Sequence, residues 1–364
     1  MTTPARPAAV RLPVWSIAFP VAALLAVLTS LYAAGAVGGG IAALLLFGTV
    51  IAAVHHAELV AHRVGEPFGT LVLAVAVTVI EVSLIVSLML SDAGNAASLA
   101  RDTVFAAIMI ILNGVVGICL LVGGVAHGEQ RFALRGVSAA LCTLAALVVL
   151  SLILPNYVTS APGPTYAPSQ LAFVAVVSLV LYGTFVLVQT VRHREYFLAI
   201  DDAETDHAAA VPGNRVTWLA FATLLVALVG VVMLAKGLSA KVETAILDAG
   251  LPIAIVGVVI AALVLAPESL AAVRAAQRNR LQTSLNLALG SALATIGLTI
   301  PAVAVTSLVL GLPLALGIGA KGVTLLALSL FVATVSLGTG RTTVLQGAVH
   351  LVIFAAYLFT TVVP

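Results

Sequence analysis

The chain has 364 residues, of which 62% are hydrophobic and only 8% charged, with a mean hydropathy of +1.22. A soluble domain carries about a quarter charged residues, so a water-facing surface cannot be assembled here and most of the surface must face lipid. The formal net charge of +2 says little about partners; where the charges sit says more.

A spanning helix needs about 20 mostly apolar residues. Such runs occur near 14–34, 39–63, 67–91, 103–126, 136–154, 169–191, 216–236, 250–274, 284–309, 322–339 and 342–363. They predict an all-α polytopic membrane protein of eleven transmembrane helices, with the lipid bilayer as its partner. Ala33-Ala34-Gly35-Ala36 after the first run imitates a signal-peptide cleavage site, but the apolar core before it is too long, and the run is read as a helix. Punctuation falls at Gly38-Gly39-Gly40, Pro155-Asn156, Ala161-Pro162-Gly163-Pro164, Pro212-Gly213 and Gly311-Leu312-Pro313. Cys119 and Cys142 lie inside apolar runs and read as small buried hydrophobes, not as a disulfide or a metal site.

Orientation follows from the positive charges. With the N-terminus and its Arg6 and Arg11 in the cytoplasm, strict alternation puts 12 basic residues on that side, including Arg63, Arg131, Arg135, Arg192, Arg215 and Arg280. The outer side receives only Arg101, Lys236, Lys241 and Lys321, and the C-terminus lies outside. The loop at 192–215 differs from the rest, with acids at Glu195, Asp201, Asp202, Glu204 and Asp206. It reads either as a solvated linker or as a cation-attracting, regulatory segment.

Burying a carboxylate in hydrocarbon costs several kcal/mol, so an acid inside a span is a functional candidate. Of the 14 acids, Glu81 and Glu268 sit deep in spans. Glu81 is about 22 Å along its helix from Glu66, and Glu268 about 25 Å from Leu251, at 1.5 Å per residue. By alternation the two helices enter from opposite sides, the pattern of inverted repeats that bring matching sites to the midplane. Thr78 lies three residues before Glu81 on the same face. Pro267 removes a backbone hydrogen bond beside Glu268. The next helix of each half is also polar inside an apolar run, at Asn113 and at Asn286, Ser291, Thr295 and Thr299.

Two carboxylates with hydroxyl and carbonyl oxygens form a hard-oxygen site suited to Ca²⁺. Without a cation the carboxylates repel one another, so protons and a cation compete for one site. The alternative is that each Glu pairs with a buried hydroxyl and only holds helices together. A second cluster comprises His55, His56, Glu58, His62, Arg63 and Glu66. His55, Glu58 and His62 share a helix face, and with Glu66 they read as a proton relay or cytoplasmic gate, a metal site, or structural residues. The metal reading would make the chain an intramembrane hydrolase, but the contiguous H-E-x-x-H pattern is missing. His350 reads as structural.

The stretches GEPFGTLVLAVAVTVIEVSLIV (65–86) and PESLAAVRAAQRNRLQTSLNLALGSALATIGLTIP (267–301) resemble the two signatures of bacterial calcium/proton antiporters of the cation/Ca²⁺ exchanger superfamily. RDTVFAAIMIILNGVVGICLLVGG (101–124) resembles the helix after the first signature. The resemblance runs from about residue 39 to the end of the chain. It implies two inverted five-helix repeats, 39–191 and 216–364, an acidic cytoplasmic linker at 192–215, and an extra helix within 1–38. It carries the cation-binding glutamates onto Glu81 and Glu268, with Ser291 matching the Gly-Ser motif and Asn113 its counterpart helix. Where many exchangers hold Asn three residues before the Glu, this chain has Thr78 and Leu265, which removes two amide oxygens.

The expectation is therefore a secondary antiporter, not an enzyme, exporting Ca²⁺ in exchange for H⁺. Glu81 and Glu268 bind both ions, with Thr78, Asn113 and Ser291 in support, and a Na⁺ or K⁺/H⁺ antiporter using the same site is the alternative. No cofactor, nucleotide or nucleic acid is expected, since no Gly-rich Lys-Ser/Thr loop occurs. Arg outnumbers Lys 13 to 3 alongside abundant Ala and Gly, which suggests a GC-rich bacterium and its inner membrane.

Overall fold

The computed structural model of the protein describes residues 12–65, 68–90, 96–198 and 212–363. Among them the apolar runs form eleven helices: α1 (Val14–Leu28), α2 (Gly35–Val64), α3 (Phe68–Met89), α4 (Ala97–His127), α5 (Leu134–Asn156), α6 (Pro168–Arg192), α7 (Asn214–Asp248), α8 (Ala254–Gln277), α9 (Leu281–Leu310), α10 (Ala320–Leu337) and α11 (Val344–Val362). Nine of these are long and apolar enough to cross a membrane; α1 and the Val72–Ser87 part of α3 are shorter.

The first run ends earlier than its apolar residues suggest. The Thr29 hydroxyl donates to the Leu25 carbonyl at 2.8 Å, and Ser30 takes a left-handed φ of 51°, so α1 stops at Leu28. Its 15 residues span about 22 Å, short of the roughly 30 Å of a hydrocarbon core. The chain then makes a tight turn, Leu31–Ala33, and re-enters helix at Gly35. Gly38-Gly39-Gly40, expected as punctuation, therefore lies inside α2. A Cβ on Gly38 would fall 2.3 Å from the Leu31 carbonyl oxygen, so the glycine permits the turn rather than ending a helix.

Four helices carry a turn of π-helix: Ile110–Val115 in α4, Val149–Ile153 in α5, Val188–Arg192 in α6 and Thr295–Thr299 in α9. Such bulges interrupt the regular backbone ladder and concentrate at functional places. Two of the four fall on polar residues that stand out in the sequence, Asn113 and Thr295–Thr299.

The chain divides into two compact units, residues 1–80 with 201–238 and residues 81–200 with 239–364. In the first, α1 lies along α2: Thr49 donates to the Phe19 carbonyl at 3.3 Å, and His56 Nε2 donates to the Ser16 carbonyl at 2.9 Å. Arg63 donates to Asn214 at 2.6 Å, tying the end of α2 to the start of α7. In the second unit, α4 is the central helix and packs against α8 and α11, while α9 packs against α5, α6 and α8. Its middle is made of fully buried Ile108, Met109, Ile111 and Leu112 of α4 with Leu144, Leu147 and Leu152 of α5. Two residue pairs form an antiparallel ribbon, β1 (Gln130–Arg131) on β2 (Arg341–Thr342), joining the α4–α5 turn to the α10–α11 turn.

Cys119 is buried as expected, but Cys142 is exposed on the surface of α5, because that helix turns only one face inward. Both are free thiols.

Candidate ion-binding site

An ionisable side chain in the middle of an apolar helix must find polar partners from other helices. Glu81 of α3 is 2% exposed and accepts a hydrogen bond from the Thr299 hydroxyl of α9 at 2.8 Å. Thr295, one turn earlier, brings a second hydroxyl to the same carboxyl. Glu268 of α8 is half-buried and accepts a hydrogen bond from the Ser291 hydroxyl, also of α9. Both carboxyls and all three hydroxyls belong to the second unit, and the two carboxyls lie close enough for their charges to interact. The Tyr182 side chain of α6 rests against Gly297 in the π-turn of α9.

The local structure explains why α9 can serve both acids. Ser291, Thr295 and Thr299 recur every four residues, which puts their hydroxyls on one face. The π-turn at Thr295–Thr299 adds a residue to the helical turn there, rotating that face between the Ser291 and Thr299 levels. On α8, Pro267 has no N–H, so the Leu263 carbonyl four residues earlier loses its ladder donor on the turn before Glu268. Two carboxylates, three hydroxyls and a freed carbonyl are hard oxygen ligands without a permanent positive charge among them.

The other residues singled out in the sequence lie as follows. Thr78 donates its hydroxyl to the Ala74 carbonyl, one turn back in its own helix, at 2.8 Å. Asn113 is fully buried in a different polar group: it donates to the Ser329 hydroxyl at 2.8 Å, and its carbonyl oxygen faces His350 Nδ1 at 3.3 Å. His350 Nε2 in turn pairs with the Ser336 hydroxyl at 2.8 Å, so this histidine is satisfied and ties α11 to α4 and α10. In the first unit, His55 is half-buried beside Trp15, with ring centroids 5.2 Å apart, while Glu58 and His62 are exposed. Among the described residues no group of three or more His, Cys, Asp or Glu side chains could hold a metal ion. Glu66 and the acidic residues from Asp201 to Asp206 lie outside the described residues.

Thr295 and Thr299 stand out in the sequence as polar, without a role attached to them. Their spacing from Ser291 is the available signal; what it cannot show is a partner on a helix 218 residues away.

The sequence profile of the sodium/calcium exchanger protein family matches the chain twice, over residues 34–191 and 219–363. The chain belongs to that family. Among its relatives, a Sinorhizobium fredii protein, y4hA, named provisionally as an ionic transporter, is 54% identical over 88% of this exchanger and 87% of its own length. The sodium-potassium/proton antiporter ChaA of Escherichia coli strain K12 is 37% identical over 86% of each chain. The Ca²⁺/H⁺ antiporter of Aphanothece halophytica is 25% identical over 73% of this exchanger and 76% of that protein. The solved structure of native YfkE superposes with a TM-score of 0.74 over 96% of this exchanger and all of that chain, at 15% identity, a likeness of fold. Family membership makes the exchanger a multi-pass membrane transporter, and the hydrolase reading of His55, Glu58 and His62 is set aside.

Proposed function

We propose that the chain is a cation/proton antiporter of the bacterial inner membrane that exports Ca²⁺ from the cytoplasm. Glu81 and Glu268 bind either the cation or protons. The observation that carries this reading is the pair of interacting carboxyls inside apolar helices, each held by a hydroxyl of the same third helix. The family match and the named antiporters among the relatives support it.

Two carboxylates whose charges interact inside apolar helices repel when both are charged and empty. The site is therefore stable in two forms, with a divalent cation or with protons, and the empty dianion is a poor traveller. If only the loaded forms reorient, cation movement one way is coupled to proton movement the other way, one Ca²⁺ against two H⁺ for charge balance at the site. Ser291, Thr295 and Thr299 hold the carboxyls in place and add neutral oxygens.

The proposed organisation is two repeats, 39–191 and 216–364, inverted with respect to one another, with a cytoplasmic linker at 192–215. The two profile matches support this division and leave α1 outside it. The basic-residue asymmetry supports a cytoplasmic N-terminus and an outer C-terminus.

A second reading, Na⁺ or K⁺ exchanged for H⁺ at the same site, is favoured by the 37% identity to an antiporter named for those ions. The test is ⁴⁵Ca²⁺ uptake into proteoliposomes under an imposed pH gradient, comparing wild type with Glu81→Gln and Glu268→Gln. Gradient-dependent uptake that disappears in both variants supports the Ca²⁺ reading. No Ca²⁺ flux, with proton movement on adding Na⁺ or K⁺, moves the substrate to a monovalent ion. Exchange that survives in both variants refutes the two-carboxylate site.

A further inference from the structure

In the second unit, where α4, α8 and α10 begin and α11 ends, the chain lines an open-mouthed cavity of about 240 Å³. Its polar walls are Arg101, Asp102, Lys321 and Tyr357. The Arg101 guanidinium is held in place, Nε on the Asp102 carboxylate at 2.8 Å and Nη1 on the Gly317 carbonyl at 3.1 Å, which uses two of its five donors. Lys321 donates to the Thr360 carbonyl and keeps further ammonium protons for a ligand. Among the described lining residues two cations stand against one carboxylate, an excess of one positive charge.

That charge selects against a transported cation, and the geometry does too. One turn below the cavity, a Cβ on Gly257 of α8 would lie 2.9 Å from the backbone of Asp102 and Thr103 in α4, so the seam between these helices is closed. The cavity therefore has no passage along this seam. The first turn of α10 adds to it: Gly319 offers no side-chain cap, and the N–H groups of its opening residues have no partner within the helix. On its other side Phe105 and Ile318 present apolar surface. The last turns of α11, which line the cavity through Thr361, expose Phe359, Val362 and Val363.

We propose that this cavity binds the phosphate of a phospholipid headgroup. A phosphodiester carries one negative charge, which matches the excess, and its oxygens suit a fixed guanidinium and an ammonium. The exposed apolar end of α11 gives acyl chains a track away from the cavity, which a free anion would not use.

The test is native mass spectrometry of the purified full chain titrated with phosphatidylglycerol, with a parallel arm adding inorganic phosphate. Two variants are compared: Arg101→Gln with Lys321→Gln, and Gly319→Leu. Gly319 lines the cavity and a Cβ there meets nothing within 4 Å, so a side chain can start from this position without a backbone clash, and this variant decides the matter if the double variant does not fold. The expected result is one retained lipid per wild-type chain, retention at least about tenfold weaker in the variants, and no displacement by phosphate, a loss equivalent to about 1.4 kcal/mol or more. Equal retention in wild type and Gly319→Leu, or displacement of the lipid by inorganic phosphate at matched concentration, overturns the proposal.

Discussion

Replacing Thr299 by valine removes one hydroxyl and keeps the shape of the side chain, so it isolates the bond to Glu81. The carboxyl is 2% exposed, and water cannot take over when the 2.8 Å donor is deleted. A hydrogen bond to a charged group contributes about 1.5–3 kcal/mol, and each 1.4 kcal/mol is about tenfold in an equilibrium constant. Thr299→Val should therefore weaken the apparent affinity for the exported cation by roughly 10- to 150-fold. Thr299→Ser, which restores the hydroxyl, should stay within about threefold of wild type on the same scale. The assay is proton flux in proteoliposomes, followed with a pH-sensitive dye, as a function of cation concentration. If Thr299→Val matches wild type while Glu81→Gln abolishes flux, the hydroxyl is not part of the ion-binding unit, and the assignment of α9 as its support is wrong.

Asn113→Leu should lower the melting temperature in detergent, because it removes the buried amide that pairs with both His350 Nδ1 and the Ser329 hydroxyl, at a cost of about 1–3 kcal/mol. Adding His350→Phe should recover part of that loss. Tyr166, in the turn before α6, donates to the Leu150 carbonyl at 2.5 Å, and burial pushes its hydroxyl up to about 12. Tyr166→Phe should cost about 0.5–1.5 kcal/mol at neutral pH. Since the folded tyrosine ionises later than an unfolded one near pH 10, wild-type stability should not respond to this group below that pH. It should fall as pH rises from about 10 toward 12, and the Phe variant should lack that loss. Melting curves across this range check both statements.

The helices are legible in the sequence because lipid imposes a uniform length and composition on whatever crosses it, and each apolar run contains a helix among the described residues. The candidate acids are legible for the same reason: Glu81 and Glu268 stand out only because their surroundings are so apolar. Ser291 is legible through its motif. Thr299 is not, since its role depends on a neighbour on α3 that no local pattern reveals. Asn113 groups with the proposed ion-binding residues by its matching position in the chain, while the structure joins it to Ser329 and His350, more than 200 residues away in sequence. Local backbone events are hidden as well. The end of α1 turns on a single threonine hydroxyl and a left-handed serine, and the glycines that resemble a break form the inside of α2.

The short ribbon between Gln130–Arg131 and Arg341–Thr342 does more than close two turns. Phe132 also donates to the Gly340 carbonyl, and Glu129 pairs with Arg341, so the turns are fastened by backbone and charge together. Below them, a Cβ on Gly347 would lie 2.5 Å from the Leu121 backbone nitrogen, which presses α11 and α4 into direct main-chain contact. In mechanical terms these two helices form a clamped strut. On the proposed alternating access of Glu81 and Glu268, this strut is the segment expected to keep its dimensions while others bend or slide around it.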